Sequence, residues 1–179
     1  MKTIQRISVK LAGLATATFL LAGGAQAQVS ENRVVAVTDW SVFVEGNPAE
    51  CWGVSSPKEM KNTDAAGRPK AVKRGDVLHF VSFRKGGGAT GEVSFTGGYP
   101  FAGGSTVTLD IGGTVFDLFP DGEWAWSGSK DEDTKIIAAM KSGASAVLKA
   151  RSSRGTQTAD TFSLLGFTAA LDEAMKRCQ

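Results

Sequence analysis

Past its N-terminal stretch, the chain is built from short runs of Val, Ile, Thr and aromatic residues, each closed by Gly, Pro, Asn or Asp. That pattern predicts strands and turns. Residues 34–44 read as the first strand, with Val35, Val37, Val42 and Val44 giving its β-branched character, and Gly46-Asn47-Pro48 ends it. Residues 51–56 form a second short strand stopped by Pro57, while 58–75 is dense in Lys and Arg, is punctuated by Asn62, Gly67 and Pro69, and reads as loop. Residues 77–83 are apolar on both faces: Val77, Val81 and Phe83 share one, Leu78 and Phe80 the other. Such a strand belongs at the centre of a sheet or inside a sandwich.

Hairpins follow. Residues 92–96 lead through Gly97-Gly98-Tyr99-Pro100 into 106–111, and Gly112-Gly113 makes a two-residue turn of the primed type. Residues 114–119 return, and Pro120-Asp121-Gly122 turns again into 123–126. Then the period changes. Ser129 is placed to cap a helix whose first turn holds Asp131, Glu132 and Asp133, with Ile136, Ile137 and Met140 as its apolar stripe and Gly143 as its stop. Two more strands, 144–151 and 158–165, flank a turn at Gly155, and a final helix covers about 168–178. There Phe167, Leu171, Met175 and Cys178 recur at helical spacing. The expectation is a mainly β fold: a β-sandwich or open barrel of about nine short antiparallel strands, with one inserted and one C-terminal helix.

The N-terminus alters the charge balance. Lys2, Arg6 and Lys10, an apolar run from Leu11 to Ala22, and Ala25-Gln26-Ala27 describe a secretory signal over residues 1–27, leaving one domain over 28–179. The apolar run is too short to span a bilayer, and Gln28, where a lipoprotein would carry Cys, gives no lipid anchor. Removing the three basic residues of the signal from the 20 Lys+Arg leaves 17 against 18 Asp+Glu, a net −1. A concentrated positive field is therefore missing, and nucleic acid is not an expected partner. At 42% hydrophobic residues the chain is not of disordered composition. Two cysteines, Cys51 and Cys178, remain after export, and in an oxidising compartment such a pair becomes a disulfide.

Candidate chemistry is sparse. His79 lies in mid-strand between Leu78 and Phe80, which favours a hydrogen-bonded core or sheet-face residue over a catalytic base. One His and two oxidised Cys do not complete a zinc site, and no metal or cofactor is expected. Residues 86–91 match G-x-G-x-x-G, but between two strands, so a hairpin loop is the better reading. Ser127 and Lys130 match S-x-x-K, with Lys141-Ser142-Gly143 as a faint echo of K-T-G; helix capping explains both more simply than acyl transfer. Trp124 and Trp126, at i and i+2 of one strand, share a face. They are either a stacking platform for a sugar or protein partner, or large inward residues of a small core, and the core is the plainer reading. Arg68, Lys70, Lys73 and Arg74 form a basic loop, read as solvated and otherwise as a contact for an anionic envelope surface.

Taken in order, several motifs resemble the invasion-associated locus B family of exported bacterial proteins. They are Asp39-Trp40-Ser41-Val42, Gly98-Tyr99-Pro100-Phe101, Ala139-Met140-Lys141 with Gly143, and Arg154-Gly155-Thr156. Asp160-Thr161-Phe162-Ser163-Leu164, Gly166-Phe167 and Cys178 complete the set, which spans about 37–178. The resemblance implies a Gram-negative envelope protein, periplasmic or outer-membrane-associated, with a mainly β fold and no established catalytic activity. Family members often carry a cysteine just after the Asp-Trp strand, where this chain has Phe43-Val44. That departure leaves the family's disulfide pattern open, although Cys51 with Cys178 is the one intramolecular pair available here. The Arg154–Phe167 stretch reads as scaffold, with Asp160 placed to anchor Arg154 or a backbone amide.

The expected function is thus a non-catalytic, disulfide-stapled binding or adhesion module, with a protein or glycan of the envelope or of a host surface as partner. A periplasmic carrier of a small apolar ligand and, further off, an envelope hydrolase are the alternatives. Partner identity and oligomeric state are not readable from the sequence.

Overall fold

The computed structural model describes residues 32–47, 49–86 and 90–179. The predicted signal over 1–27, Pro48 of the first turn and the middle of the 86–91 loop lie outside the described residues. Eleven strands and two helices are present among the described residues: β1 (Arg33–Val37), β2 (Trp40–Glu45), β3 (Glu50–Ser55), β4 (Glu59–Thr63), β5 (Leu78–Arg84), β6 (Thr90–Thr96), β7 (Val107–Ile111), β8 (Thr114–Asp121), β9 (Trp124–Ser127), α1 (Lys130–Ser142), β10 (Ser145–Arg151), β11 (Gln157–Ser163) and α2 (Phe167–Arg177). They form one antiparallel sheet in the order β1-β2-β3-β5-β6-β9-β8-β7-β10-β11-β4. The expected mainly β class holds, with eleven strands where about nine were read.

Two elements account for the difference. The predicted strand 34–44 is broken by Thr38, whose φ of 53° reverses the chain and makes β1 and β2 a hairpin. The basic stretch 58–75 is not all loop: its first residues form β4, paired with β11 from Thr63↔Gln157 to Glu59↔Thr161. Neither Glu59 nor Lys61 has β propensity, so the ladder to β11 creates this strand, and an edge position suits its charges.

The sheet curls so that its inner face meets itself. Trp40 of β2, His79 of β5, Phe95 of β6 and Phe162 of β11 are fully buried, and the rings of His79 and Phe95 lie 5.6 and 6.1 Å from that of Phe162. Leu109, Leu118 and Leu148 complete the layer from β7, β8 and β10. Both helices pack on this same core. α2 sets Phe167 edge-on to Trp40 at 4.9 Å and Ala170 over Gly53, and its last turn is tied to β3 by the Cys51–Cys178 disulfide. Its buried stripe is Phe167, Ala170, Leu171 and Ala174, while Met175, expected inside, is 40% exposed.

α1 begins as predicted, with Ser129 Oγ accepting from the Glu132 amide. Asp133 does more than balance the helix dipole. Buried, it accepts from the Val93 amide at 2.8 Å and from Ser127 Oγ at 2.6 Å, fixing α1 to β6 and β9. Gly143 ends α1 at a φ of −86°, so a left-handed cap is not the reason for glycine there. A Cβ would stand 2.7 Å from Ile111 and 3.0 Å from Leu164.

Candidate functional site

Trp124 and Trp126 do not enter the core, which corrects the plainer reading of them. On β9 it is Ala125 that faces inward, opposite Phe95, and the tryptophans flank it on the outer face of the sheet. Their rings are stacked, with centroids 6.2 Å apart and planes 23° apart, and Trp124 is 39% exposed. The strand register continues the surface. Phe80 lies 5.4 Å from Trp124, Phe119 pairs opposite Trp126 and is 57% exposed, and Phe43 stacks on Trp52 at 5.8 Å. Six aromatic side chains thus cross β2, β3, β5, β9 and β8 on one outward face, interleaved with Ser82, Ser94 and Thr96. At one end a groove of about 400 Å³ is lined by Phe43, Val54 and Leu78 and closed by the Asp39–Lys58 ion pair. Lys58, aided by Ser163, holds the Asp39 carboxyl below the usual carboxylate range. Beside it, Trp40 Nε1 donates to the Ser163 carbonyl at 3.0 Å, so Asp39 and Trp40 fasten the β1–β2 turn to the end of β11.

The remaining motif residues converge on a second place. Gly98, with a φ of +70°, crosses Gly75 so closely that a Cβ would sit 2.6 Å from the Gly75 carbonyl oxygen, and the Gly75 amide donates to the Gly98 carbonyl at 2.9 Å. This crossing brings Arg74 against Tyr99. The guanidinium lies 5.0 Å from the Tyr99 ring centroid, donates to both carboxylate oxygens of Asp160 at 2.7 and 2.6 Å, and donates through Nε to the Gly97 carbonyl at 2.9 Å. Arg74's side chain is only 5% exposed and Asp160 is fully buried. The reading of this arginine as solvated is therefore corrected, and so is the expectation that Asp160 anchors Arg154 or a backbone amide: Asp160 anchors Arg74. Burial pushes the Asp160 carboxyl upward while Arg74 pulls it back.

Above this pair opens a cleft of about 280 Å³, walled by Tyr99, Pro100 and Val72 and rimmed by Lys73, Arg154 and Glu123. Tyr99 is bonded through its hydroxyl to Thr158 Oγ1 at 2.5 Å, and burial raises its pKa. Thr156 accepts from Lys70 Nζ at 3.1 Å. The Arg154-Gly155 tip is a tight reversal, Gly155 at φ +78°, closed by the Ser152–Thr156 backbone bond. Phe167, by contrast, belongs to the core against Trp40. The Gly98, Arg154 and Asp160 motifs are visible singly in the sequence; their meeting with Arg74 depends on chain crossings that no local spacing encodes.

The other chemical signals resolve into structure. His79 Nδ1 donates to the Ser94 carbonyl at 3.1 Å, its Nε2 has no partner, and burial lowers its pKa to about 4. Ser127 is engaged by Asp133, and Lys130 is exposed on the first turn of α1. Among the described residues, no cluster of three or more His, Cys, Asp or Glu is placed to hold a metal ion, and no helix is long and apolar enough to cross a membrane.

Comparison with family models agrees with the motifs. No curated protein matches the chain. Among solved structures, the crystal structure of invasion associated protein b from Bartonella henselae is similar at 16% identity and a TM-score of 0.49, covering 78% of this chain and 93% of that one. The family model described as invasion associated locus B (IalB) protein matches residues 40–175, which is most of the chain. This chain belongs to the invasion associated locus B family.

Proposed function

We propose that this protein is an exported, non-catalytic binding module of the bacterial cell envelope, and that its outer aromatic face engages a protein or glycan partner. The observation that carries this reading is the placement of Trp124 and Trp126 on the solvent face while Trp40, Phe95, Phe162 and Phe167 fill the interior without them. An outward aromatic band, exposed at Trp124 and Phe119 and half-buried at Phe43, Trp52, Phe80 and Trp126, is what a partner covers and what a self-sufficient sheet leaves out. The disulfide supports an oxidising compartment, and residues 1–27 supply the means of export. A hydrolase is disfavoured because His79 is sealed in the core and Ser127 is tied to Asp133. An apolar carrier is disfavoured because the contacting rings of Trp40, Phe95, Phe162, Phe167 and His79 occupy the sheet interior.

The test is retention. The oxidised protein from Gln28 onward, immobilised, is expected to hold a reproducible partner from the organism's envelope extract or from host-cell surface extract. The partner should be lost with Trp124→Ala/Trp126→Ala and kept with Ser127→Ala. A partner indifferent to the tryptophan variant, or none from either source, sinks the proposal.

A further inference from the structure

We propose that the cleft over the Arg74–Asp160 pair binds a small hydroxylated anion, a sugar acid or sugar phosphate, through Lys73 and Arg154. The inference does not rest on the aromatic face. Asp160 is neutralised by a bidentate guanidinium, so the buried pair beneath the cleft contributes little net field. The charges that remain at the opening are Lys73 and Arg154, with Lys70 bonded to Thr156 beside them, against the single carboxylate of Glu123. Among the described residues, neither Lys73 nor Arg154 has a carboxylate within ion-pair distance. In a chain whose predicted exported part carries a net −1, cations gathered without partners around one concavity mark a place where an anion lowers the energy.

Shape and chemistry narrow the ligand. A volume of about 280 Å³ falls just below the range of small-molecule sites, roughly 300 to 1,000 Å³. That suits one ring and its substituents, not a peptide segment or an acyl chain. The Tyr99, Pro100 and Val72 walls offer apolar surface to the C–H face of such a ring, and Ser153, Thr156 and Thr158 line the cleft with hydroxyls. The cleft is also stiff. Arg74 is held at once by Asp160, Asn62, the Gly97 carbonyl and the Tyr99 ring, and Tyr99 by Thr158. The floor therefore needs no ordering on binding, and the cost is confined to the exposed side chains of Lys73 and Arg154.

The exported, oxidised protein is titrated with glucuronate, glucose 6-phosphate, inorganic phosphate and glucose by isothermal calorimetry and amide chemical shifts. Glucuronate or glucose 6-phosphate is expected to bind at millimolar concentration or below, and salt to weaken it. Shifts should centre on residues 72–74, 98–100 and 152–158, with glucose and inorganic phosphate binding at least about tenfold more weakly. Lys73→Ala/Arg154→Ala is expected to reduce affinity about tenfold or more without changing the thermal midpoint, since neither side chain supports the fold. Glu123→Gln should strengthen binding, and Lys149→Ala, outside the cleft, should leave it unchanged. Equal binding of glucose would overturn the anionic claim, and equal binding of inorganic phosphate the hydroxylated one. The site itself is refuted if neither anionic sugar binds at millimolar concentration, or if the double variant binds like the parent.

Discussion

His79 sits wholly inside the core between Trp40 and Phe162, with only the Ser94 carbonyl as partner, and burial lowers its pKa to about 4. The unfolded chain binds a proton there near pH 6.5, whereas the folded chain resists it down to about 4. Stability is therefore lost as pH falls from about 6.5 towards 4, by a total of about 3 kcal/mol from this residue. Urea unfolding at pH 7 and pH 4.5 is expected to show the parent losing about 2–3 kcal/mol more than His79→Phe across that interval. Equal losses would mean the imidazole is not held neutral. The Arg74–Asp160 pair makes the complementary case. Arg74→Ala strands a buried carboxylate and is expected to cost about 3–5 kcal/mol, while Arg74→Met/Asp160→Leu costs less than that single change. A double variant at least as costly as Arg74→Ala would contradict it. His79 was legible in the sequence because its immediate neighbours are apolar. Arg74 was not, because its partner lies 86 residues away.

At the scale of elements, the turns and helix starts were written locally and the edges were not. Ser129 capping and the Gly112-Gly113 turn follow from nearest-neighbour chemistry and appear where expected. β4 follows from β11, and the break at Thr38 from the need to bring Trp40 beneath Phe167 and tie its indole to Ser163. The C-terminal helix shows both behaviours. Its stripe is periodic in the sequence, but Ala174, not Met175, faces inward, at the helix end that the Cys51–Cys178 bond ties to β3. That bond closes a separation of 127 residues, which corresponds to about 5 kcal/mol in the chain-entropy model and commonly less in measurement. Cys51→Ala/Cys178→Ala is expected to lose about 2–5 kcal/mol in denaturant unfolding, with hydrogen exchange rising first across α2. Exchange that rises uniformly would show that the helix is held by its packing alone.

For the molecule as a whole, the question is which face of each strand the fold turns inward. Trp40, 1% exposed, and Trp124, 39% exposed, are the same residue in opposite surroundings. Trp40→Ala is expected to cost about 3–5 kcal/mol by the cavity it leaves, and Trp124→Ala distinctly less, read from urea midpoints. Comparable costs would return Trp124 to a structural role. The sequence by itself determined the strand-rich class, the glycine and proline turns, both helices, the cysteine pair and the family motifs. These rest on interactions a few residues long, or on residue types whose chemistry leaves one choice. Only the tertiary structure decided that the tryptophans of β9 face solvent, that β4 exists, and that Arg74, Tyr99 and Arg154 line one cleft above the buried Asp160. An alternating strand states which residues share a face but not which face is buried, because that choice belongs to the partner strands. Strand order and crossings between residues far apart in the chain are set by the total burial of the curled sheet, an energy that no local segment contains.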